Sequence, residues 1–198
     1  ARVILVQPVG QHELPLIDDE IVQIGQMTDR PFRYLAVQVE NWNRDLSPWP
    51  APAVFGDEDF GDGAEALLEE ILPLCTEQDK DYIIGGYSLA GLFALWAGSQ
   101  SERFSAVAGI SPSVWFPGYG DYEQVHPIRA EHVYLSLGDR EEQTKNRAMA
   151  AVGNEIRALY ARLQTRKTDC ALEWNAGNHF REPERRVAKG VKWMLDSL

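Results

Sequence analysis

Short apolar runs alternate along the chain with stretches in which apolar residues recur every three or four positions. The runs are continuous rather than alternating apolar with polar, which is typical of strands buried on both faces, as in parallel sheets. They predict six strands, at residues 3–6, 33–39, 82–84, 106–108, 133–135 and 171–174. We expect the first strand to give way to a turn at residues 7–10, which include proline and glycine.

Helical periodicity fills the intervals between these runs. Three stripes of apolar residues at helical spacing begin at Ala64, Met149 and Val187. Residues 89–97 are apolar on every side, which predicts a helix that is buried over most of its surface. Because strands and helices alternate from end to end, the pattern predicts one α/β domain over residues 1–198, with about six mostly parallel strands flanked by helices.

Composition and charge narrow the classes of partner. The 198 residues are 44% hydrophobic and 25% charged, as in globular proteins. The 19 Lys and Arg against 30 Asp and Glu give a formal net charge of −11, which disfavours binding to nucleic acid or to an anionic membrane. Cys75 and Cys170 are the two cysteines, so neither a disulfide framework nor a zinc site is expected. We therefore expect a cytoplasmic protein with no leader and no membrane span.

The most informative segment joins the third predicted strand to the helix that is apolar on every side. It reads Gly86-Tyr87-Ser88-Leu89-Ala90, a strand–turn–helix with serine at its apex. So sharp a turn needs small residues on both sides of the serine, and Gly86 and Ala90 meet that need. The hydroxyl of Ser88 would then project from the carboxyl edge of the sheet as a nucleophile. The alternative is a serine that only caps the helix.

Residues able to activate Ser88 follow it in the chain. His179 lies in the loop between the last predicted strand and the C-terminal helix. An imidazole there can act as base and then as acid, because it exchanges protons near neutral pH. Three carboxylates follow the fifth predicted strand, at Asp139, Glu141 and Glu142, and any of them could orient the histidine.

Backbone amides close to the serine are the expected donors to an oxyanion. Leu89 begins the helix, where its N–H has no partner within the helix. A second donor is expected after the first strand, from Gly10 or Gln11, since glycine permits a close approach of the backbone.

Four short segments together resemble the esterase D-like family of α/β-hydrolases. They are GYSLAG at 86–91, ISPSVW at 110–115, GDRE at 138–141 and GNH at 177–179. The resemblance implies a minimal α/β-hydrolase fold with the chain order serine, acid, histidine. It favours Glu141 as the acid, because hydrolase loops often read Gly-x-x-acid after this strand. Cap domains of the superfamily usually follow the fourth strand here, and residues 111–131 leave room for one short helix, so no cap domain is expected.

Two loops are predicted to line a substrate pocket. After the second strand, Trp42 and Trp49 could form a binding wall, with Arg44 attracting an anionic group. After the fourth strand, Trp115 and Phe116 could line the acyl or the alcohol side. The alternative for the first loop is aromatic packing that holds a proline-rich segment in place.

The resemblance implies a serine esterase that acts on small-molecule carboxylic esters. Ser88 would attack the carbonyl, His179 would act as base and Glu141 would support the imidazolium. Neither a metal ion nor an organic cofactor is expected. A thioesterase or peptidase with the same residues, and a non-catalytic binding protein that keeps the fold, are the alternatives. The sequence makes no prediction of the oligomeric state.

Overall fold

Six strands form one sheet in the computed structural model, which describes residues 1–198. The strands are β1 (Val3–Gly10), β2 (Phe32–Val39), β3 (Asp81–Tyr87), β4 (Phe104–Ile110), β5 (His132–Gly138) and β6 (Asp169–Asn175). Their order across the sheet is β2-β1-β3-β4-β5-β6, and every neighbouring pair is parallel. The predicted fold class is therefore confirmed, with a strand at each of the six predicted positions.

Helices lie on both faces of this sheet. They are α1 (Ile17–Met27), α2 (Trp42–Asp45), α3 (Ala64–Ile71), α4 (Leu89–Gln100), α5 (Tyr119–Val125), α6 (Arg147–Ala150), α7 (Val152–Thr165) and α8 (Pro183–Ser197). Short 3₁₀ turns occur at Leu14–Leu16, Leu72–Leu74 and Glu141–Gln143. None of the helices combines the length and the apolar character needed to cross a membrane.

The two faces of the sheet bury separate apolar clusters, because successive side chains of a strand point to opposite sides. On β1, Val3 and Leu5 belong to the cluster under α1 and α8. Ile4 and Val6 belong to the larger cluster under α3, α4 and α7. Helix α4 is buried at every position from Leu89 to Ser99, which agrees with its lack of a polar face. The centre of the sheet, where α4 begins, is therefore held from both sides.

The prediction of a turn at residues 7–10 is wrong, because β1 continues to Gly10. β1 pairs with β3 only from Val3 to Val6, while its pairing with β2 extends to Gly10. Pro8, which has no N–H, thus lies where one side of β1 has no strand partner, as proline in a sheet requires. The extra length carries Gln11 out to the carboxyl edge of the sheet.

The connection between β4 and β5 holds α5 as its one helix. This agrees with the expectation for residues 111–131, and no cap domain covers the carboxyl edge. The loops that follow the strands therefore form the surface at that edge by themselves.

Candidate active site

The carboxyl ends of parallel strands meet at one edge of a sheet, so the loops that follow them become neighbours. Ser88 follows β3, Glu141 follows β5 and His179 follows β6. All three are far apart in sequence, and the sheet order places their strands among the four neighbouring strands from β3 to β6. The structure brings these three predicted residues together.

Ser88 occupies a strained backbone conformation at the start of α4. Its φ is 61° and its ψ is −123°, a region that costs a non-glycine residue about 1–3 kcal/mol. The turn is so tight that a Cβ on Gly86 would lie 2.4 Å from the carbonyl carbon and oxygen of Ala90. The Ser88 hydroxyl makes no hydrogen bond to the helix, so the serine is not an ordinary side-chain cap. It points instead toward the histidine.

Ser88, His179 and Glu141 form a continuous chain of hydrogen bonds. Ser88 Oγ lies 3.0 Å from His179 Nε2, and His179 Nδ1 lies 2.8 Å from Glu141 Oε2. With the proton of the neutral ring on Nδ1, that nitrogen donates to the carboxylate and Nε2 accepts from the serine O–H. In this arrangement the histidine can take the serine proton while the carboxylate stabilises the charge that the ring gains.

Glu141 is buried yet held in its charged form. Its Oε1 accepts hydrogen bonds from Ser111 Oγ at 2.6 Å, Gly138 N at 2.8 Å and Arg186 Nη1 at 3.0 Å. Burial by itself would raise the pKa of Glu141, but the hydrogen bonds from His179, Ser111 and Gly138 outweigh burial and leave the pKa below its ordinary value. A charged carboxylate therefore faces the imidazole.

The two other candidate acids are engaged elsewhere. Asp139 Oδ1 accepts a hydrogen bond from Gly177 N at 2.8 Å, which ties the loop after β5 to the loop that carries His179. Glu142 points away toward α7, where Arg157 binds it through two hydrogen bonds of 2.7 and 2.9 Å. Of the three carboxylates, the structure brings Glu141 to the histidine.

Two backbone amides at the carboxyl edge of the sheet, those of Leu89 and Gln11, are candidates for oxyanion donors. Leu89 is the first residue of α4, so its N–H has no partner within the helix. The N–H of Gly10 donates to Glu13 Oε2 at 2.8 Å and is therefore occupied. The N–H of Glu13 closes a turn onto Gly10 O at 2.9 Å, and within that turn Gln11 N–H bonds to no protein atom. Of the two residues predicted for the second donor, Gln11 is the one whose amide is available.

Two connected cavities open beside these groups. The one over Ser88 has a volume of about 560 Å³ and includes the predicted Trp42. The other, of about 320 Å³, has Trp115 and Glu141 in its wall. Both cavities share His179 and three further residues: Thr144, Met149 and Phe180. The imidazole of His179 therefore lies between the two spaces.

Arg44, Trp49 and Phe116 do not reach either cavity, which corrects their predicted place in the pocket. Arg44 pairs with Asp45 at 2.7 Å and faces a separate depression beside α3. Trp49 donates from Nε1 to Pro117 O at 2.9 Å and packs its ring against Phe116, which is buried. Aromatic packing, the alternative given for the first loop, therefore describes Trp49.

Sequence patterns missed several residues of the cavity walls. Phe55 lies in a bend and Glu13 in the turn after β1, and no periodicity describes the path of either segment. Met149 belongs to a helical apolar stripe, and such stripes usually indicate core. Phe180 is 83% exposed and directly follows His179, so its position beside the histidine was the one available signal. Phe55, Met149 and Phe180 are apolar side chains in the wall of the cavity over Ser88.

Comparison with known proteins gives matches among solved structures. No protein-family model matches the sequence, and no curated protein matches it. The siderophore hydrolase EstA of Aspergillus nidulans is 16% identical, with a TM-score of 0.68 over 100% of this chain and 83% of its own. The enterochelin esterase of Shigella flexneri is 22% identical, with a TM-score of 0.69 over 99% of this chain and 51% of its own. Acyl-protein thioesterase 2 of Zea mays is 16% identical, with a TM-score of 0.59 over 98% of this chain and 93% of its own.

These matches identify the architecture. The chain has the α/β-hydrolase fold, as the resemblance in sequence implied. It spans about half the length of the Shigella protein and most of the other two.

Two carboxyl groups, those of the partly buried Glu13 and the buried Glu20, have raised pKa values. Burial raises the pKa of Glu13 to about 7, although the hydrogen bond from Gly10 opposes this shift. Burial also raises the pKa of Glu20 to about 7, against hydrogen bonds from Tyr34 and Gln7. In the unfolded chain both groups titrate near 4.5, so between about pH 4.5 and 7 the folded protein binds more protons than the unfolded one.

The free energy of unfolding should therefore fall as the pH rises through this interval. Stabilisation by Glu20 is fully present below about pH 4.5 and is lost as the pH passes 7. We expect urea unfolding to show a smaller decrease between about pH 5 and 8 in Glu20→Gln than in the wild type, by roughly 1–3 kcal/mol. Asp18→Asn, on the exposed side of α1, is the control and should retain the wild-type slope. Equal slopes in all three proteins would show that Glu20 stays charged when folded.

Proposed function

We propose that this protein is a serine hydrolase that cleaves carboxylic esters through an acyl-serine intermediate. The observation that carries the proposal is the hydrogen-bonded chain from Ser88 through His179 to Glu141, which begins at a serine in a strained turn. Strain of this kind persists only where the surrounding structure holds it, and it is concentrated at functional sites. The strain therefore favours a catalytic serine over one that is kept only for packing.

The acylation step follows from the positions of the groups. His179 Nε2 removes the proton from Ser88 Oγ as the oxygen attacks the ester carbonyl. The negative charge moves onto the carbonyl oxygen, and the N–H groups of Leu89 and Gln11 donate to it. Glu141 stabilises the imidazolium, which then gives its proton to the departing alcohol. The alcohol leaves and Ser88 carries the acyl group.

Deacylation repeats these steps with water in place of the alcohol. His179 takes a proton from the water, whose oxygen attacks the acyl carbonyl, and the same two amides hold the second oxyanion. The proton returns from His179 to Ser88 Oγ as the acid product leaves. Every proton is thus passed through Nε2, and the enzyme needs no other acid or base.

The substrate class is supported by the cavities and by the solved structures. A space of about 560 Å³ with much apolar surface suits one part of a small ester, and the adjoining space of about 320 Å³ suits the other. Two of the similar structures carry the words esterase or hydrolase in their names. The similarity to a thioesterase over 93% of that chain supports thioester cleavage as a second candidate, since the same attack on a carbonyl serves both.

Covalent labelling tests the nucleophile directly. The wild-type protein should react with a fluorophosphonate probe, and Ser88→Ala should not react at all. His179→Ala should lose labelling and lower kcat for a p-nitrophenyl ester by roughly 10⁴-fold or more. Ser105→Ala and His126→Ala, which lie outside both cavities, are matched controls and should behave as wild type. A folded wild type that neither labels nor hydrolyses any ester or thioester would sink the proposal.

The adjacent residues Glu141 and Glu142 allow a test of which carboxylate supports His179. Glu141→Gln should lower kcat by roughly 10²–10⁴-fold, because the neutral amide no longer stabilises the imidazolium. Glu142→Gln, one residue away and bound to Arg157 on the surface, should change kcat by less than about twofold. Steady-state kinetics on one ester with both variants distinguishes them, and a reversed order would assign the acid to Glu142.

The second oxyanion donor can be removed without changing the turn. Gln11 is the second residue of the turn from Gly10 to Glu13, a position that suits the fixed φ of proline. Gln11→Pro should therefore delete the N–H, together with the side-chain hydrogen bond from Gln38, and lower kcat by roughly 10²–10³-fold. Gln11→Ala loses the side-chain hydrogen bond from Gln38 but keeps the amide, so it should stay close to wild type. Comparable kcat values for the two variants would place the second donor elsewhere.

A further inference from the structure

Arg186 on α8 is the largest side chain that is fully buried in the protein, at 2% exposure. Its guanidinium lies beneath the loops that carry Ser88, Glu141 and His179. Nη1 donates to Glu141 Oε1 at 3.0 Å and to Ser111 Oγ at 3.1 Å, with Tyr87 Oη at 3.4 Å. Nη2 donates to the carbonyl oxygens of Ala176 at 3.3 Å and Asn178 at 2.9 Å.

These partners belong to the ends of four different strands. Tyr87 ends β3, Ser111 follows β4, Glu141 follows β5, and Ala176 and Asn178 follow β6. A single planar group with donors in fixed directions therefore connects all four loops at the site. The connection comes from the opposite side to the two cavities, because Arg186 lines neither of them.

Stability alone does not account for a charge at this place. Burying an ion pair costs several kcal/mol for each ion, and an apolar pair of similar size is often as stable or more so. The neighbouring Val187 and Val191 on α8 show that this helix packs on the sheet through apolar side chains. The arginine must therefore contribute something that an apolar residue would not, namely directed hydrogen bonds.

The two carboxylate oxygens of Glu141 accept hydrogen bonds from different groups. Arg186, Ser111 and Gly138 all donate to Oε1, which leaves Oε2 for His179. The carbonyl groups that Nη2 holds lie in the loop just before His179, and Asn178 is its direct neighbour. One guanidinium thus fixes both the carboxylate and the backbone from which the imidazole extends.

We propose that Arg186 is a positioning residue that aligns Glu141 Oε2 with His179 Nδ1 from beneath the site. Its effect on turnover rests on the proposed ester hydrolysis, whereas its effect on the hydrogen bond does not. Arg186 touches no substrate, so it acts on kcat through these two residues and leaves the cavities unchanged.

Three variants test this role: Arg186→Met, Arg186→Lys and Arg185→Met. Methionine keeps much of the volume and removes all donors, and we expect kcat to fall roughly 10- to 100-fold with KM within about threefold. Lysine keeps the charge but lacks the planar guanidinium that bridges the carboxylate and the carbonyl groups. The kcat of Arg186→Lys should therefore lie between that of the wild type and that of Arg186→Met. Arg185→Met changes the adjacent, exposed arginine, which contacts Glu182, and should match the wild type.

A spectroscopic readout separates this proposal from the proposed function. The proton that His179 Nδ1 shares with Glu141 should give a far-downfield proton NMR signal in the wild type, whether or not the protein hydrolyses esters. That signal should vanish or broaden in Arg186→Met, remain in Arg185→Met and disappear in His179→Ala. An unchanged signal and an unchanged kcat in folded Arg186→Met would overturn the positioning role. Should Arg186→Met fail to fold, Arg186→Lys decides: wild-type kcat together with a wild-type signal would refute the proposal.

Discussion

A buried carboxylate, Glu141, is the point at which the loops of this sheet edge converge. Four donors surround it, from His179, Ser111, Gly138 and Arg186. A charge with so little access to water is stable only when its hydrogen-bonding capacity is filled, and each of these donors comes from a different segment of the chain. The requirement to satisfy one carboxylate therefore fixes the relative positions of the loops after β4, β5 and β6.

The strained residues of the edge depend on the same network. Ser88 and Ser111 both have positive φ, at 61° and 43°. Ser88 N donates to Ile110 O at 3.1 Å, Ser113 N donates back to Ser88 O at 3.0 Å, and Ser111 N donates to Ser136 O at 2.9 Å. These backbone bonds run between consecutive strand ends and hold conformations that an isolated loop would abandon. The serine hydroxyl is thus oriented before any ligand arrives, which would lower the entropic cost of the proposed reaction.

How far the sequence predicts this architecture depends on how local the signal is. Continuous apolar runs located all six strands, and small residues around Ser88 predicted the tight turn, since these patterns lie within a few residues of one another. The choice among Asp139, Glu141 and Glu142 needed the structure, because it depends on where each side chain points. Packing between distant segments determines where each side chain points, and the periodicity of the sequence does not contain that information.

The errors and omissions have the same origin. Trp49 lies in a loop whose aromatic residues look equally suited to a binding wall or to packing, and its partner Phe116 comes from a loop far along the chain. Arg186 stands next to the apolar stripe of α8, where an arginine ordinarily marks the solvent-facing side. Its inward orientation follows from partners on four separate loops, and no stretch of sequence around position 186 contains them.

Glu141, Glu20 and Glu13 show how burial and hydrogen bonding together set the pKa of a carboxyl group. Glu141 has four donors and keeps its pKa below the ordinary value, whereas Glu13 has one backbone donor and Glu20 has two side-chain donors, and the pKa of each rises to about 7. Glu13 lines the cavity over Ser88, where a negative charge would oppose an oxyanion. Its burial favours the neutral acid at that point, while the donors around Glu141 favour the charged one on the far side of the imidazole. Burial and the hydrogen bonds that each side chain receives thus shift the pKa values of identical side chains in opposite directions.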